Sequence, residues 1–449
     1  MYIQRIRIEN FKCFKNLDVS FNEKINILVG NNEAGKSTIL EAINLALTGQ
    51  INGRYLKNDI NQYLFNNEVV EEYLRKINNG ENPLPPCICI EIFFGGKDFA
   101  LFEGDYNSLR QKFYGLSYKI AFNDSHRAEY DVLVSSRDLV SLPIEYYDVF
   151  WQSFARESIT SFSIPIKPAF IDSSSYKYQN GSDVYISRIV KEFLTKDDAI
   201  KVSQAHRKMK DSFVSASAIA EINLKIKEEI NKISEKEVSL SVETSSKNAW
   251  ETSLMTYLDK VPFHNIGKGE QCLIKTKLAL SSKQNKDAKI ILIEEPENHL
   301  SHSKLNQFIS EIKKDHQNKQ IIISTHSSFV SNKLNLGNLI FFDNKKPVPF
   351  SELKEETKTF FEKLAGYDTL RLVFCERAIL VEGDSDELIV QKAFQLNDSE
   401  KRLPIEAGVD VISVGTSFLN FLEIANKINK RVHVVTDNDG NIKALEKSM

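Results

Sequence analysis

Eight residues near the N-terminus, Gly30-Asn31-Asn32-Glu33-Ala34-Gly35-Lys36-Ser37, have the types and spacing of a loop that cradles phosphates. Its glycines let backbone N–H groups close around phosphate oxygens, and a helix starting behind it favours negative charge. Lys36 is placed to reach the β- and γ-phosphates, and Ser37 to ligate Mg²⁺. Asn31 through Thr38 are therefore candidate nucleotide contacts. Far along the chain, Ile290-Ile291-Leu292-Ile293-Glu294-Glu295-Pro296 delivers two acids to the carboxyl end of an apolar strand. Ligands bind there in open α/β sheets. Glu294 is the candidate for the Mg²⁺ shell and Glu295 for polarising the attacking water. A buried strand ending at a charged surface would account for the acids alone, but less readily for the acids together with the loop.

A second set of acids lies near the C-terminus. Ile379-Leu380-Val381-Glu382-Gly383-Asp384-Ser385-Asp386 is an apolar run ending in acids, and Val432-His433-Val434-Val435-Thr436-Asp437-Asn438-Asp439 repeats the logic. Carboxylates crowded on adjacent strand ends repel unless cations neutralise them. Oxygen donors suit hard divalent ions, so Glu382, Asp386, Asp437 and Asp439 are candidate ligands of Mg²⁺ or Mn²⁺. Such ions activate water and stabilise the leaving oxygen of a phosphodiester. The competing reading is two ordinary strand ends with solvated acids; Asp384 reads that way in either case.

The elements that must position these groups follow from hydrophobic spacing. Ile25 to Val29 reads as a buried strand, and Ile39, Leu40, Ile43 and Leu47 share one face of a helix from about Lys36. Ile6 and Ile8, like Leu17, Val19 and Phe21, alternate as half-buried strands. Cys87 to Leu101 and Tyr118 to Val134 also read as strands. From about Ser182 to Ser239 the pattern turns helical and charged. Leu224, Ile226, Ile230 and Ile233 fall near heptad spacing, so this stretch is either a dimerisation insert or a helical lobe. From Lys289 onward strands alternate with helices, as in parallel sheets with crossovers. The expected fold class is α/β.

With these motifs in place the chain resembles ATPases of the ABC class, in the branch with SMC and RecF proteins. The opening Ile6-Arg7-Ile8-Glu9-Asn10-Phe11, the phosphate loop and Glu294-Glu295-Pro296-Glu297 carry that resemblance. It implies three further motifs. Gly267-Lys268-Gly269-Glu270-Gln271, before an apolar helix, resembles the signature loop that touches the nucleotide of a facing subunit, which makes Gly267, Gly269 and Glu270 nucleotide contacts. Glu297 to Ser301 resembles the D-loop, and His326, within Ser324-Thr325-His326-Ser327, the switch histidine that senses the γ-phosphate. Gln62 is a candidate Q-loop glutamine. The resemblance implies ATP with Mg²⁺ as cofactors and a dimer, or an assembly of dimers.

The C-terminal acids, with Val414-Gly415-Thr416-Ser417 between them, resemble the Toprim fold of topoisomerases, primases and overcoming-lysogenization-defect (OLD) nucleases. Glu382 matches that family's ligand or general acid–base, Asp386 the acid after it, and Asp437 and Asp439 the paired aspartates. An ABC-class ATPase followed by Toprim is the OLD arrangement. The expected layout is an ATPase head from 1–181 and 246–370, a helical insert at 182–245, and a Toprim domain at 371–449. OLD relatives include phage exclusion nucleases, the A subunit of the Gabija defence system and retron nuclease effectors, and they imply DNA cleavage in antiviral defence. A Gabija-like identity implies a helicase partner, and a retron-like one a reverse-transcribed nucleic acid.

One departure stands out. OLD proteins continue with a later acid and a lysine, whereas here ten residues follow Asp439, so the Toprim domain is expected to be shortened. Two functions therefore compete. One is an ATP-regulated, metal-dependent DNA endonuclease. The other is an ATP-dependent DNA clamp or sensor whose Toprim part docks a partner. A repair ATPase related to RecF is a weaker third. The net charge of −3 gives no global basic signature, so DNA would need a local patch, with His206 to Lys210 and Lys427 to Arg431 as candidates. Five cysteines without a paired zinc pattern read as reduced thiols of a cytoplasmic protein, and no apolar run is long enough to span a bilayer.

Overall fold

The computed structural model describes residues 1–449 except 32, 52–53, 97–99, 173–177, 180–181, 184–195, 231–256, 282–288, 316–318, 364–367 and 438–449. They form two compact units, one of residues 1–174 with 287–449 and one of residues 175–286.

Three sheets carry the first unit. An antiparallel sheet runs in the order Phe14–Ser20, Tyr2–Phe11, Ile88–Gly95, Phe113–Phe122, with Tyr147–Ser153 paired to the last. Alternation sets its faces: Ile6 and Ile8 are buried, while Arg5 and Arg7 on the other face pair with Asp18. A second sheet runs Pro168–Asp172, Ile290–Glu294, Gln320–Thr325, Ile25–Gly30, Leu339–Asp343, all parallel, and Lys346–Pro349 closes it antiparallel. Its central strands are continuous apolar runs because both faces are covered.

The helix Lys36–Thr48 packs on strands of both sheets and buries Ile39, Leu40, Ile43 and Leu47. Each such side chain contributes about 1.5–3 kcal/mol of burial. One polar residue ties the sheets together. Gln320 is 2 % exposed; its Oε1 accepts from Ile3 N–H at 2.8 Å, and its Nε2 donates to Ile3 O and Asn22 O, each at 2.8 Å.

The third sheet is parallel, in the order Val409–Ser413, Arg377–Val381, Arg431–Val435. The helix Phe418–Lys427 covers it and packs on residues 352–361. Phe361 and Phe421 meet edge to face at 4.9 Å, Glu423 accepts from Thr357 Oγ1 at 2.5 Å and Lys354 N–H at 2.8 Å, and Lys427 pairs with Glu352. In the second unit the described helices are Lys196–Val214, Ser217–Ile230 and Lys268–Ser281. Among the described residues no helix is long and apolar enough to cross a membrane.

Some expectations need correction. The strand expected from Tyr118 to Val134 ends at Phe122, because the Asn123 carboxamide accepts from Ser125 N–H and starts a turn. The helix Arg127–Ser135 follows and leaves Val132 74 % exposed. The strand expected to reach Leu101 stops at Gly95; Ala100–Phe102 is a single 3₁₀ turn. On the helix Ser217–Ile230, Leu224 is 61 % exposed, which both a dimerisation insert and a helical lobe allow, and Ile233 lies outside the described residues.

Replacing Gln320 with Leu strands the Ile3 amide and two carbonyls in the interior. The expected loss is about 3 kcal/mol, read as a lower denaturation midpoint. A loss under about 0.5 kcal/mol, the size of an ordinary surface change, would contradict this account of the sheet junction.

Candidate functional site

Parallel register brings the first set of candidates to one edge. Glu294 lies level with Ser324, and Thr325 with Val29, so Gly30, Glu294 and the segment 324–327 leave the sheet side by side. Gly35 turns the chain into the helix at φ 89°, where only glycine is unstrained, and a Cβ there would lie 2.3 Å from the Phe14 ring.

Lys36 is 5 % exposed. Its Nζ donates to Gly30 O at 2.9 Å and Asn31 O at 3.2 Å, and lies 3.0 Å from His326 Nε2. Burial pushes its pKa down, and the facing carboxylates of Glu295, Glu297 and Glu294 partly offset that. His326 Nε2 is also 3.0 Å from Glu295 Oε1. A ring nitrogen carries a lone pair or a proton, so it either accepts from Lys36 or donates to Glu295.

Two glutamates hold this arrangement. Glu295 adopts φ 41°, a left-handed conformation costing about 1 kcal/mol for a residue with a Cβ. It is pinned by its N–H to Ser324 O at 2.9 Å and by Asn298 Nδ2 donating to its Oε2 at 2.6 Å. Glu297 Oε1 accepts from Thr325 Oγ1 at 2.7 Å, His326 N–H at 2.6 Å and Ser327 N–H at 3.1 Å, which fixes the histidine loop. The sequence places Glu297 at the end of the acidic motif and the start of the D-loop; its anchoring role depends on a contact twenty-eight residues away.

Cys13, Glu33, Gly35, Lys36, Ser37, Thr38, Glu295, His326 and Lys345 line one cleft of about 440 Å³, within the range of small-molecule sites. Lys345 was not anticipated. It sits on the turn after Leu339–Asp343, whose Phe342 pairs with Gly30. For a divalent ion, Ser37 and Glu294 offer hard oxygen donors of the kind Mg²⁺ takes. Beside them Ser324 Oγ and Glu297 Oε2 are buried without a partner among the described residues, so polar company from outside the protein suits this edge. Asn32 lies outside the described residues. Gln62 is not on this cleft; its Oε1 accepts from Leu142 N–H at 3.2 Å.

Gly267, Gly269 and Glu270 belong to the second unit. They do not form a loop ahead of a helix. Lys268 already begins the helix, with Glu270 and Gln271 N–H donating to Gly267 O at 3.0 and 3.1 Å.

At the third sheet, Val381 lies level with Ser413 and Val435, so Glu382 and Thr436 leave adjacent strands. Thr436 Oγ1 donates to Glu382 Oε2 at 3.1 Å. Gly415, at φ 59°, turns the chain back and donates to Glu382 O at 3.0 Å. Asp386 Oδ2 accepts from Gly383 N–H at 2.9 Å, closing the first turn of the helix Asp384–Asn397. Asp437 is exposed, and Asp439 lies outside the described residues. Among the described residues no three His, Cys, Asp or Glu side chains form a metal-binding group. Two of the basic residues near the C-terminus are engaged in the fold: Lys427 with Glu352, and Lys430 with the carbonyls of Val373 and Cys375.

Glu297→Gln keeps the shape but weakens charge-assisted bonds to the histidine loop. We expect ATP turnover to fall about tenfold, with nucleotide affinity held within about threefold. Equal turnover, or a parallel loss of affinity, would contradict an anchoring role.

Residues 1–330 match the family described as AAA ATPase domain, and residues 373–439 the one described as Overcoming lysogenization defect protein-like, TOPRIM domain. The chain is 36 % identical over 97 residues to the DNA replication and repair protein RecF of Clostridium acetobutylicum, covering 22 % of this chain and 25 % of that one. It is 53 % identical over 45 residues to the DNA double-strand break repair Rad50 ATPase of Methanopyrus kandleri, covering 10 % and 5 %. These matches thus span a quarter or less of the relatives' length. The SMC head domain from Thermotoga maritima aligns with 78 % of this chain and 99 % of its own at 12 % identity and a TM-score of 0.35, a likeness too distant to decide the fold. On the family matches, this chain belongs to the AAA ATPase domain family and carries an OLD-like TOPRIM domain behind the ATPase.

Proposed function

We propose that this protein is an ATP-regulated, divalent-metal-dependent DNA endonuclease that acts in antiphage defence. The observation that carries the reading is the presence, in one compact unit, of the Lys36 cleft and of a parallel sheet presenting Glu382 and Asp437 at its carboxyl edge.

In the ATPase, Lys36 binds the β- and γ-phosphates, Glu295 orients the attacking water, and His326 faces the γ-phosphate. Ser37 and Glu294 hold Mg²⁺, which offsets phosphate charge when bound. Gly267 to Gln271 of a second copy completes the site, so the working form is a dimer or a larger assembly. At the TOPRIM edge, Glu382 acts as ligand or general acid–base, with Asp437, Asp439 and Asp386 as further oxygen donors for Mg²⁺ or Mn²⁺. The Thr436 hydroxyl orients the Glu382 carboxylate. DNA is the substrate, and a helicase subunit or a retron nucleic acid the candidate partner.

A second reading is an ATP-dependent DNA clamp or sensor whose TOPRIM part docks a partner. The Asp386 carboxylate favours it, because it already accepts from Gly383 N–H.

Supercoiled plasmid incubated with Mg²⁺ or Mn²⁺, with and without ATP, separates the two. Nicking that is lost in Glu382→Ala is the expected result. No nicking by a chain that still binds ATP would overturn the nuclease reading in favour of the clamp.

A further inference from the structure

We propose that the short helix Asp368–Phe374 transmits the state of the nucleotide cleft to the acidic edge of the TOPRIM sheet. Phe374 is its contact with His326, and Arg371 is a positioning residue for the acids. The inference deepens the proposed function, and only its consequence for cleavage rests on that reading.

At the cleft end, His326 Nε2 stands 3.0 Å from both Lys36 Nζ and Glu295 Oε1 and can satisfy only one of them. Phosphate in the cleft competes for the Lys36 ammonium, and its arrival would shift the imidazole from Lys36 to Glu295, the kind of two-way choice that coupling between sites requires. The ring meets Phe374, with centroids 6.1 Å apart and planes tilted by 37°. A ring that changes partner presses differently on the end of this helix.

The helix is held stiffly between the two sites. Leu372 and Val373 are buried at 0 % and 1 % exposure. Three residues before Phe374, one turn away, stands Arg371. Its guanidinium donates to Asp410 Oδ1 at 2.8 Å and Oδ2 at 3.1 Å, to Val411 O at 2.7 Å and to Glu387 Oε1 at 3.2 Å. Its hydrogen bonds to the Asp410 carboxylate, set against the effect of burial, hold Arg371 above its ordinary pKa, so this grip is permanently charged. Glu387 lies in the same helical turn as Asp386, and its N–H donates to Gly383 O at 3.1 Å, beside Glu382. At the Phe374 end of the helix, Lys430 donates to the carbonyls of Val373 and Cys375, and Lys430 directly precedes the strand Arg431–Val435, after which come Thr436 and Asp437. Movement of one rigid turn therefore reaches both sides of the TOPRIM edge.

Hydrogen exchange of the full chain, with and without a non-hydrolysable ATP analogue and Mg²⁺, tests this without needing cleavage. In the unaltered protein the analogue should slow exchange in residues 36–48 and change it in residues 383–390 by about fivefold or more, the low end of usual coupling. In Phe374→Leu, which keeps apolar bulk, and in Arg371→Lys, which keeps charge without the fork, the change at 36–48 should persist and that at 383–390 should vanish. A purely structural role would lower stability and leave the response intact. Residues 383–390 silent in the unaltered protein, or still responding in both variants, would overturn the proposal. Coupling seen in exchange without plasmid nicking supports the relay while removing the nuclease reading, so the two fail separately.

Discussion

A positive charge held almost out of water at the edge of a parallel sheet organises this protein. The Lys36 ammonium faces carbonyls of its own loop, a histidine nitrogen and three glutamates of the segment after the strand Ile290–Glu294, Glu294 itself included. Burial disfavours such a charge unless acceptors replace the lost water. Phosphate oxygens are better acceptors than the loop carbonyls. The geometry needed to keep Lys36 charged is therefore also the geometry that favours a nucleotide. The left-handed turns at Gly35 and Glu295 and the bonds gathered by Glu297 keep that geometry in register.

The remaining architecture supports this edge. Continuous apolar strands need cover on both faces. The helix behind the loop and the antiparallel sheet provide one cover, and Gln320 satisfies the polar atoms where the sheets meet. Residues 352–361 dock the helix Phe418–Lys427 through Phe361, Thr357 and Glu352, which joins the TOPRIM sheet to the ATPase in one compact unit.

Much of this was legible in the residues. The strands at Ile25, Ile290, Ile321, Ile379, Val411 and Val432 and the helix after Lys36 follow from local hydrophobic spacing, which a single stretch of chain carries. The contacts of Glu297, Lys345, Thr436 and Arg371 were not legible. Each depends on a segment distant in sequence, and a lone polar residue carries no mark of the partner it will meet. Where alternation misled, as from Tyr118 to Val134, a side-chain turn at Asn123 overrode apolar spacing that fits strand and helix equally badly.

The central claim is that Lys36 exchanges its loop and histidine partners for phosphate. A crystal structure with Mg²⁺ and a non-hydrolysable ATP analogue tests it directly. The account predicts Lys36 Nζ on the β- and γ-phosphate oxygens, with His326 Nε2 no longer within hydrogen-bond reach of it. An analogue bound in the cleft while Lys36 keeps its bonds to Gly30, Asn31 and His326 would contradict the account.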